Sequence, residues 1–342
     1  MKLPRAHGAL VGSAVFRQQA EDFQVDEQLG FEPDGEGEHV YLHVRKRNTN
    51  TQWLARELTG FAGLKSRDVS YAGLKDRHAV TTQWFSLNIH KSKEPDWQAL
   101  DIENIEVLSS TRHRCKLRQG MAKQNHFRIT LRDADFQIAD LEKRIDIISQ
   151  QGVPNYFGEQ RFGIDEGNLA KATALFRGEI RVKDRKKKGI YLSAARSFLF
   201  NKVLAERVSQ GSWCQALSGD CMMLDGSNSF FHIEQVDDEI RRRLSEVDIH
   251  PSGPMWGKGD PLVTDQVLAL EDKVLADEEI YKDGLVQVNM KMERRSLRLF
   301  PQGLGYELLD DGALVLCLSL SSGQYATTVL QELFELKSAG LE

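Results

Sequence analysis

A carboxylate set among three basic side chains marks the segment Tyr71–Phe85 as the place where this chain could do chemistry. Asp76 follows Lys75 and precedes Arg77 and His78, in a turn-like stretch ahead of a strand-like run. Positive neighbours favour the ionised carboxylate, and the same cations attract phosphate. An anionic nucleophile or base in a polyanion-attracting surface suits an enzyme acting on nucleic acid. A charge run of this kind also suits a plain solvated turn before an edge strand, and the tetrapeptide alone is compatible with both.

Other chemistries lack their residues. No GxGxxG follows a strand and no GxxxxGK[ST] loop occurs, so Gly163 and Gly167 support neither a dinucleotide nor ATP. The nine histidines show no HExxH and no metal spacing, and no GxSxG elbow is present. Cys115, Cys214, Cys221 and Cys317 are scattered, without a CxxC pair, and read as reduced thiols of a cytoplasmic protein.

The elements that must position Asp76 can be read from periodicity. Residues 13–30 alternate as a strand, with Phe23 and Val25 on one face, and 32–37 form a loop. His39–Val44 reads as a second strand. Asn50 can cap a helix carrying Trp53, Leu54, Leu58 and Phe61, closed by Gly63. Residues 83–89, 105–108 and 125–131 read as strands, and 137–150 as a helix. The region of about 160–290 reads as mostly helical, with its strongest helix over 194–204 and a dense loop over 250–260. Strand-like segments return at 296–300, 304–308 and 313–318, and a helix over about 326–336 closes the chain. Strands, then helices, then strands is the order expected when one domain is inserted into another.

The 342 residues suit two domains, and 41% apolar with 28% charged residues is ordinary globular composition. No apolar run is long enough for a membrane helix, and the N-terminus lacks a signal-peptide core. The net charge of −5 does not announce a nucleic-acid binder, but patches decide. Basic residues gather at 45–47, at 112–118, at Arg181–Lys188, and at Arg294, Arg295 and Arg298, while acidic ones gather elsewhere. That segregation suits a basic face on an acidic body.

The segment Ser70–Thr81 resembles the active-site motif of the TruD-type tRNA pseudouridine synthases. Glu21–Glu27, Gly30–His39, Gly152–Gly163 and Leu192–Ser197 resemble further motifs of that family, in the family's order, and the similarity runs from about residue 10 to 335. The resemblance implies isomerisation of uridine 13 in tRNA to pseudouridine. The N1–C1′ bond breaks, the uracil turns, and C5 bonds to C1′. It places the catalytic aspartate on Asp76, acting as nucleophile or as base toward the ribose. It places Phe23, Asn125 and Tyr325 around the uracil, and Phe127 lies on the same strand face as Asn125. An aromatic platform and an edge-reading amide are suitable tools for an unstacked base. Arg17 stands where the family often has lysine, and Tyr325 where close relatives can carry phenylalanine. The resemblance also makes Arg181–Lys188, Arg196 and Lys258 candidates for phosphate contacts.

The resulting expectation is an α/β (α+β) protein. Residues 1–151 and 301–342 would form a discontinuous catalytic domain with a mixed, largely antiparallel sheet, and 152–300 an inserted α/β TRUD domain. It would be a cytoplasmic isomerase, a monomer, acting on tRNA without cofactor or metal, since isomerisation has no net redox or hydrolysis. A tRNA-binding protein without catalysis and an RNA-acting hydrolase using Asp76 as base are the alternatives.

Overall fold

Alternating side chains along both ends of the chain build one large sheet, and the middle of the chain builds a separate helix-rich body. The computed structural model describes residues 3–89 and 93–338. Two compact units result. One comprises Leu10–Ile145, Pro301–Gly323 and the residues from Leu333 on; the other comprises those up to Ala9, Asp146–Phe300 and Gln324–Glu332.

In chain order the elements are β1 (Gly12–Phe16), β2 (Phe23–Leu29), β3 (His39–Arg47), α1 (Thr51–Phe61), β4 (Val69–Tyr71), β5 (Val80–Asn88), β6 (Ile105–His113), β7 (Ala122–Phe136) and α2 (Ile138–Gln151). There follow β8 (Val153–Pro154), α3 (Gly167–Phe176), α4 (Arg185–Ser209), β9 (Cys221–Leu224), β10 (Phe230–His232), α5 (Asp238–Ser245) and β11 (Ile249–Met255). The chain continues with α6 (Asp265–Val274), α7 (Glu279–Gln287), β12 (Glu293–Ser296), β13 (Arg298–Leu299), β14 (Gln302–Leu308), β15 (Leu314–Ser321), α8 (Ala326–Gln331) and β16 (Phe334–Ser338).

The sheet-based unit has the strand order β14-β15-β7-β2-β5-β3-β6, with β1 joined to β7 and β16, and β4 to β5. Only β1–β16 and β2–β5 are parallel among the described pairs, so the sheet is mixed and largely antiparallel, as read from the sequence. The single strand expected over 13–30 is two, β1 and β2, parted by a short 3-10 turn at Ala20–Asp22. α1 starts where expected: the Asn50 side chain accepts from the Gln52 and Trp53 backbone N–H groups, satisfying donors the helix leaves open. It buries Leu54 and Leu58 against Val40, Leu42, Val44, Phe85 and Leu87.

The second unit departs from the mostly helical expectation. α3 to α7 are present, but β10-β9-β11-β12 form a four-stranded sheet beside them. Three of these strands have only three or four residues, too few to show alternation. The loop expected over 250–260 is largely strand β11, although Pro251, Gly253 and Pro254 argue against a strand. Close packing explains Gly253: a Cβ there would stand 2.9 Å from Leu297 and 3.0 Å from Phe200 of α4. The helix expected to Leu336 stops at Gln331, because residues from Phe334 pair in parallel with β1, and tertiary pairing overrides local propensity.

Arg294 and Arg298 of one expected basic cluster, and the single candidate Arg196, are interior. Arg294 bonds Glu271 at 2.8 and 3.1 Å, both buried. Arg298 donates to His250 and to the Leu244 and Ile249 carbonyls. Arg196 is buried and donates to the Met255 and Lys291 carbonyls and to Glu293. Structural partners therefore take up cations that the sequence alone offered to phosphate.

Candidate active site

Strand register decides which side chains meet above the sheet. Phe23 lies opposite Ile129, Val25 opposite Phe127, and Glu27 opposite Asn125. Val25 also pairs with Thr81, and Thr81 with Lys46. Directly paired residues point to one side, so Phe23, Glu27, Asn125, Phe127 and Lys46 share a face.

Asp76 lies over that face, in the segment between β4 and β5. Its Oδ2 accepts from Arg17 Nη2 at 3.0 Å, and its side chain keeps 29% of its surface open. Arg17 follows β1 with a left-handed backbone, φ 59°, a conformation that costs a non-glycine residue about 1–3 kcal/mol. That backbone delivers the guanidinium 4.2 Å from the Phe23 ring centre and 4.8 Å from that of Phe16. Such placement adds cation–π attraction to the ion pair. Phe23 in turn meets Phe127, ring centres 5.9 Å apart. Asp76, Arg17, Phe23 and Phe127 thus touch in sequence, each leaning on the next.

The Asp76 turn is held from several sides. Gln83 donates to the Gly73 carbonyl at 3.4 Å, and the Lys75 N–H donates to the Thr51 hydroxyl at 3.1 Å. The Lys75 ammonium pairs with buried Glu27, whose other oxygen accepts from the Trp84 N–H at 3.0 Å. Lys46 donates to the Asp76 carbonyl at 3.0 Å and the Thr49 carbonyl at 2.6 Å. Burial pushes the Lys46 ammonium down to about 8. Chain adjacency is therefore a poor guide to the carboxylate's cation. Lys75 turns to Glu27, Arg77 and His78 are exposed, and Arg17 supplies the positive charge.

Asn125 is on the shared face beside Glu27, and its Oδ1 is buried with no hydrogen-bond partner among the described residues. An orphaned buried acceptor of this kind suits a ligand that donates to it. Tyr325 belongs to the second unit, directly before α8. There its hydroxyl accepts from Arg161 at 2.7 and 3.1 Å, Arg161 also donates to Ser193 at 2.8 Å, and the Tyr325 ring meets Phe157 edge-on.

Sequence reasoning missed Lys46 and Arg161. Lys46 reads as part of the basic run 45–47, although Val40, Leu42, Val44 and Lys46 continue one strand face, a pattern that buries the fourth member with the first three. Arg161 reads only as part of a motif. No cluster of His, Cys, Asp or Glu among the described residues could hold a metal.

The chain is similar in structure to the putative tRNA pseudouridine synthase D (TruD) from Methanosarcina mazei, with a TM-score of 0.71, 23% identity and coverage of 97% of this chain and 98% of that one. The two chains share one fold. The family model for tRNA pseudouridine synthase D (TruD) matches residues 11–181 and 166–333. The tRNA pseudouridine synthases D of Methylococcus capsulatus and Xanthomonas euvesicatoria are 48% and 47% identical, each over 99% of this chain and 96% of the relative. That of Aeromonas hydrophila is 43% identical over 99% of this chain and 95% of its own. This chain belongs to the tRNA pseudouridine synthase D family.

Proposed function

We propose that this protein isomerises uridine to pseudouridine in tRNA, at uridine 13, with Asp76 as the reacting carboxylate. One observation carries the assignment within the site: a carboxylate part-open to solvent is paired with a cation that itself lies against an aromatic ring. Family membership supports the reaction. The ion pair orients the Asp76 carboxylate, and a carboxylate is suited to acting at an anomeric carbon. It does so as nucleophile at C1′ or as base toward the ribose. In either course the N1–C1′ bond breaks and the uracil turns before C5 bonds to C1′. Phe23 and Phe127 offer the flipped base an apolar wall. Asn125 Oδ1, unpartnered among the described residues, accepts from the uracil N3–H. Tyr325 is read as a further base-binding residue from the family resemblance alone, and Arg161 fixes its hydroxyl.

Residues 1–151 and 301–342 are read as the catalytic domain and 152–300 as an inserted TRUD domain. The working form is read as a cytoplasmic monomer that needs no cofactor. Arg181–Lys188 are read as tRNA phosphate contacts.

Carbodiimide mapping of unmodified tRNA treated with wild-type protein or Asp76→Asn tests the proposal. The expected outcome is a stop at uridine 13 with wild type only, with tRNA affinity kept by the variant. A stop at another uridine would overturn the position. Tight tRNA binding without any stop would favour a binding protein, and release of free uracil would favour a hydrolase.

A further inference from the structure

One buried titratable group beside Asp76 has no part in the proposed reaction. Lys46 ends the inward row Val40, Leu42, Val44 of β3 and is wholly buried, at 0% exposure. An aliphatic residue would fill that row at no electrostatic cost, whereas an ammonium out of water is unfavourable unless it is well partnered. Both of its hydrogen bonds go to backbone carbonyls, of Thr49 and of Asp76 itself. Its charge is drawn to the Asp76 carboxylate and opposed by Lys75. The other neighbouring charges are engaged elsewhere: Arg45 pairs with Glu106, Arg47 with Glu21 and Arg17 with Asp76. From β5 the residue opposite is uncharged Thr81.

We propose that Lys46 is a positioning residue for Asp76: its ammonium fixes the backbone of the residue that carries the carboxylate and supplies, from below, a second positive charge that keeps that carboxylate aimed. The inference rests on the reading of Asp76 as the reacting carboxylate. Arg17 holds the carboxylate from the side chain and Lys46 from the main chain, so each does what the other cannot. Since the charge matters, the rate must fall when the ammonium loses its proton. Burial sets that loss near pH 8.

The test compares wild type, Lys46→Met and Asp76→Asn. Single-turnover pseudouridine formation on unmodified tRNA is followed from about pH 6.5 to 9.5, with tRNA affinity by filter binding. Methionine keeps the length and removes the charge and both donated bonds. A carboxylate displaced by about an ångström can cost roughly a hundredfold in rate. The expected result is a loss of about ten- to a hundredfold in the Lys46→Met rate constant, with tRNA affinity unchanged. The descending limb near pH 8 expected of wild type should be missing from the variant. A folded Lys46→Met protein with the wild-type rate and limb would overturn the proposal. Should that variant not fold, a wild-type rate flat across the range would overturn it, and a limb near pH 8 would support it. An inactive wild type would instead strike down the reading of the site, and the lysine's role with it; an active wild type with an indifferent Lys46 strikes down only the latter.

Discussion

Asn125 presents a buried Oδ1 that no described residue satisfies, and a definite expectation follows at the scale of this one side chain. Asn125→Ala removes the hydrogen bond proposed to uracil, worth about 1–3 kcal/mol. The single-turnover rate should fall by roughly ten- to a hundredfold. Affinity for tRNA should hardly change, because phosphate contacts dominate binding. Equal losses in rate and affinity, measured by single turnover and filter binding, would count against the role. The turn that carries Asp76 was legible in the sequence because a K-D-R-H run before a strand is conspicuous, yet the carboxylate's ion pair comes from Arg17, 59 residues upstream. No local pattern encodes that pairing, because it depends on a left-handed residue at the end of β1 and on β2 lying beside β5. Phe23 and Phe127 were legible as strand residues, and only the register brings their rings together.

At the scale of elements, the long periodic segments were readable and the short ones were not. α4 was expected over 194–204 and extends over Arg185–Ser209, started by Asp184, whose carboxylate accepts from the Lys186 and Lys187 N–H groups. Its first turn therefore displays the exposed residues Arg185, Lys186 and Lys187 together. Replacing Lys186, Lys187 and Lys188 by alanine should weaken tRNA binding and lower the salt dependence by about one unit of slope for each phosphate no longer neutralised. Binding measured between low and moderate salt checks this, and an unchanged slope would remove the patch from the interface. β11 was missed because its prolines and glycine argue locally for a loop, whereas its burial against α4 decides otherwise. Along its edge, Arg294 and Glu271 form a buried pair. Glu271→Leu strands a buried guanidinium and should cost roughly 3–5 kcal/mol, whereas combining it with Arg294→Met should recover most of that loss. Urea unfolding of wild type and the two variants measures both.

At the scale of the whole molecule, several histidines set how stability responds to acid. Burial is the largest influence on His39, His43 and His250, and it lowers all three below their ordinary value. Below about pH 6.5 the unfolded chain takes up protons that the folded chain refuses. Stability is therefore full at neutral pH and lost as pH falls through the lowered values. The thermal midpoint should hold between about pH 8 and 7 and drop progressively toward about pH 5, as followed by intrinsic fluorescence. The large sheet, drawn from both ends of the chain, has a consequence for how the protein comes into being. β7 is flanked by β2, made before it, and by β15, made only after the second unit's long segment, and β1 waits for β16. While the ribosome is building the second unit's long segment, between Asp146 and Phe300, β7 presents an unsatisfied edge of backbone donors and acceptors, the kind of edge that recruits foreign strands. Completion of the sheet thus waits for β15 and β16, and the nascent chain is most open to mispairing, and to chaperones, before those two strands emerge.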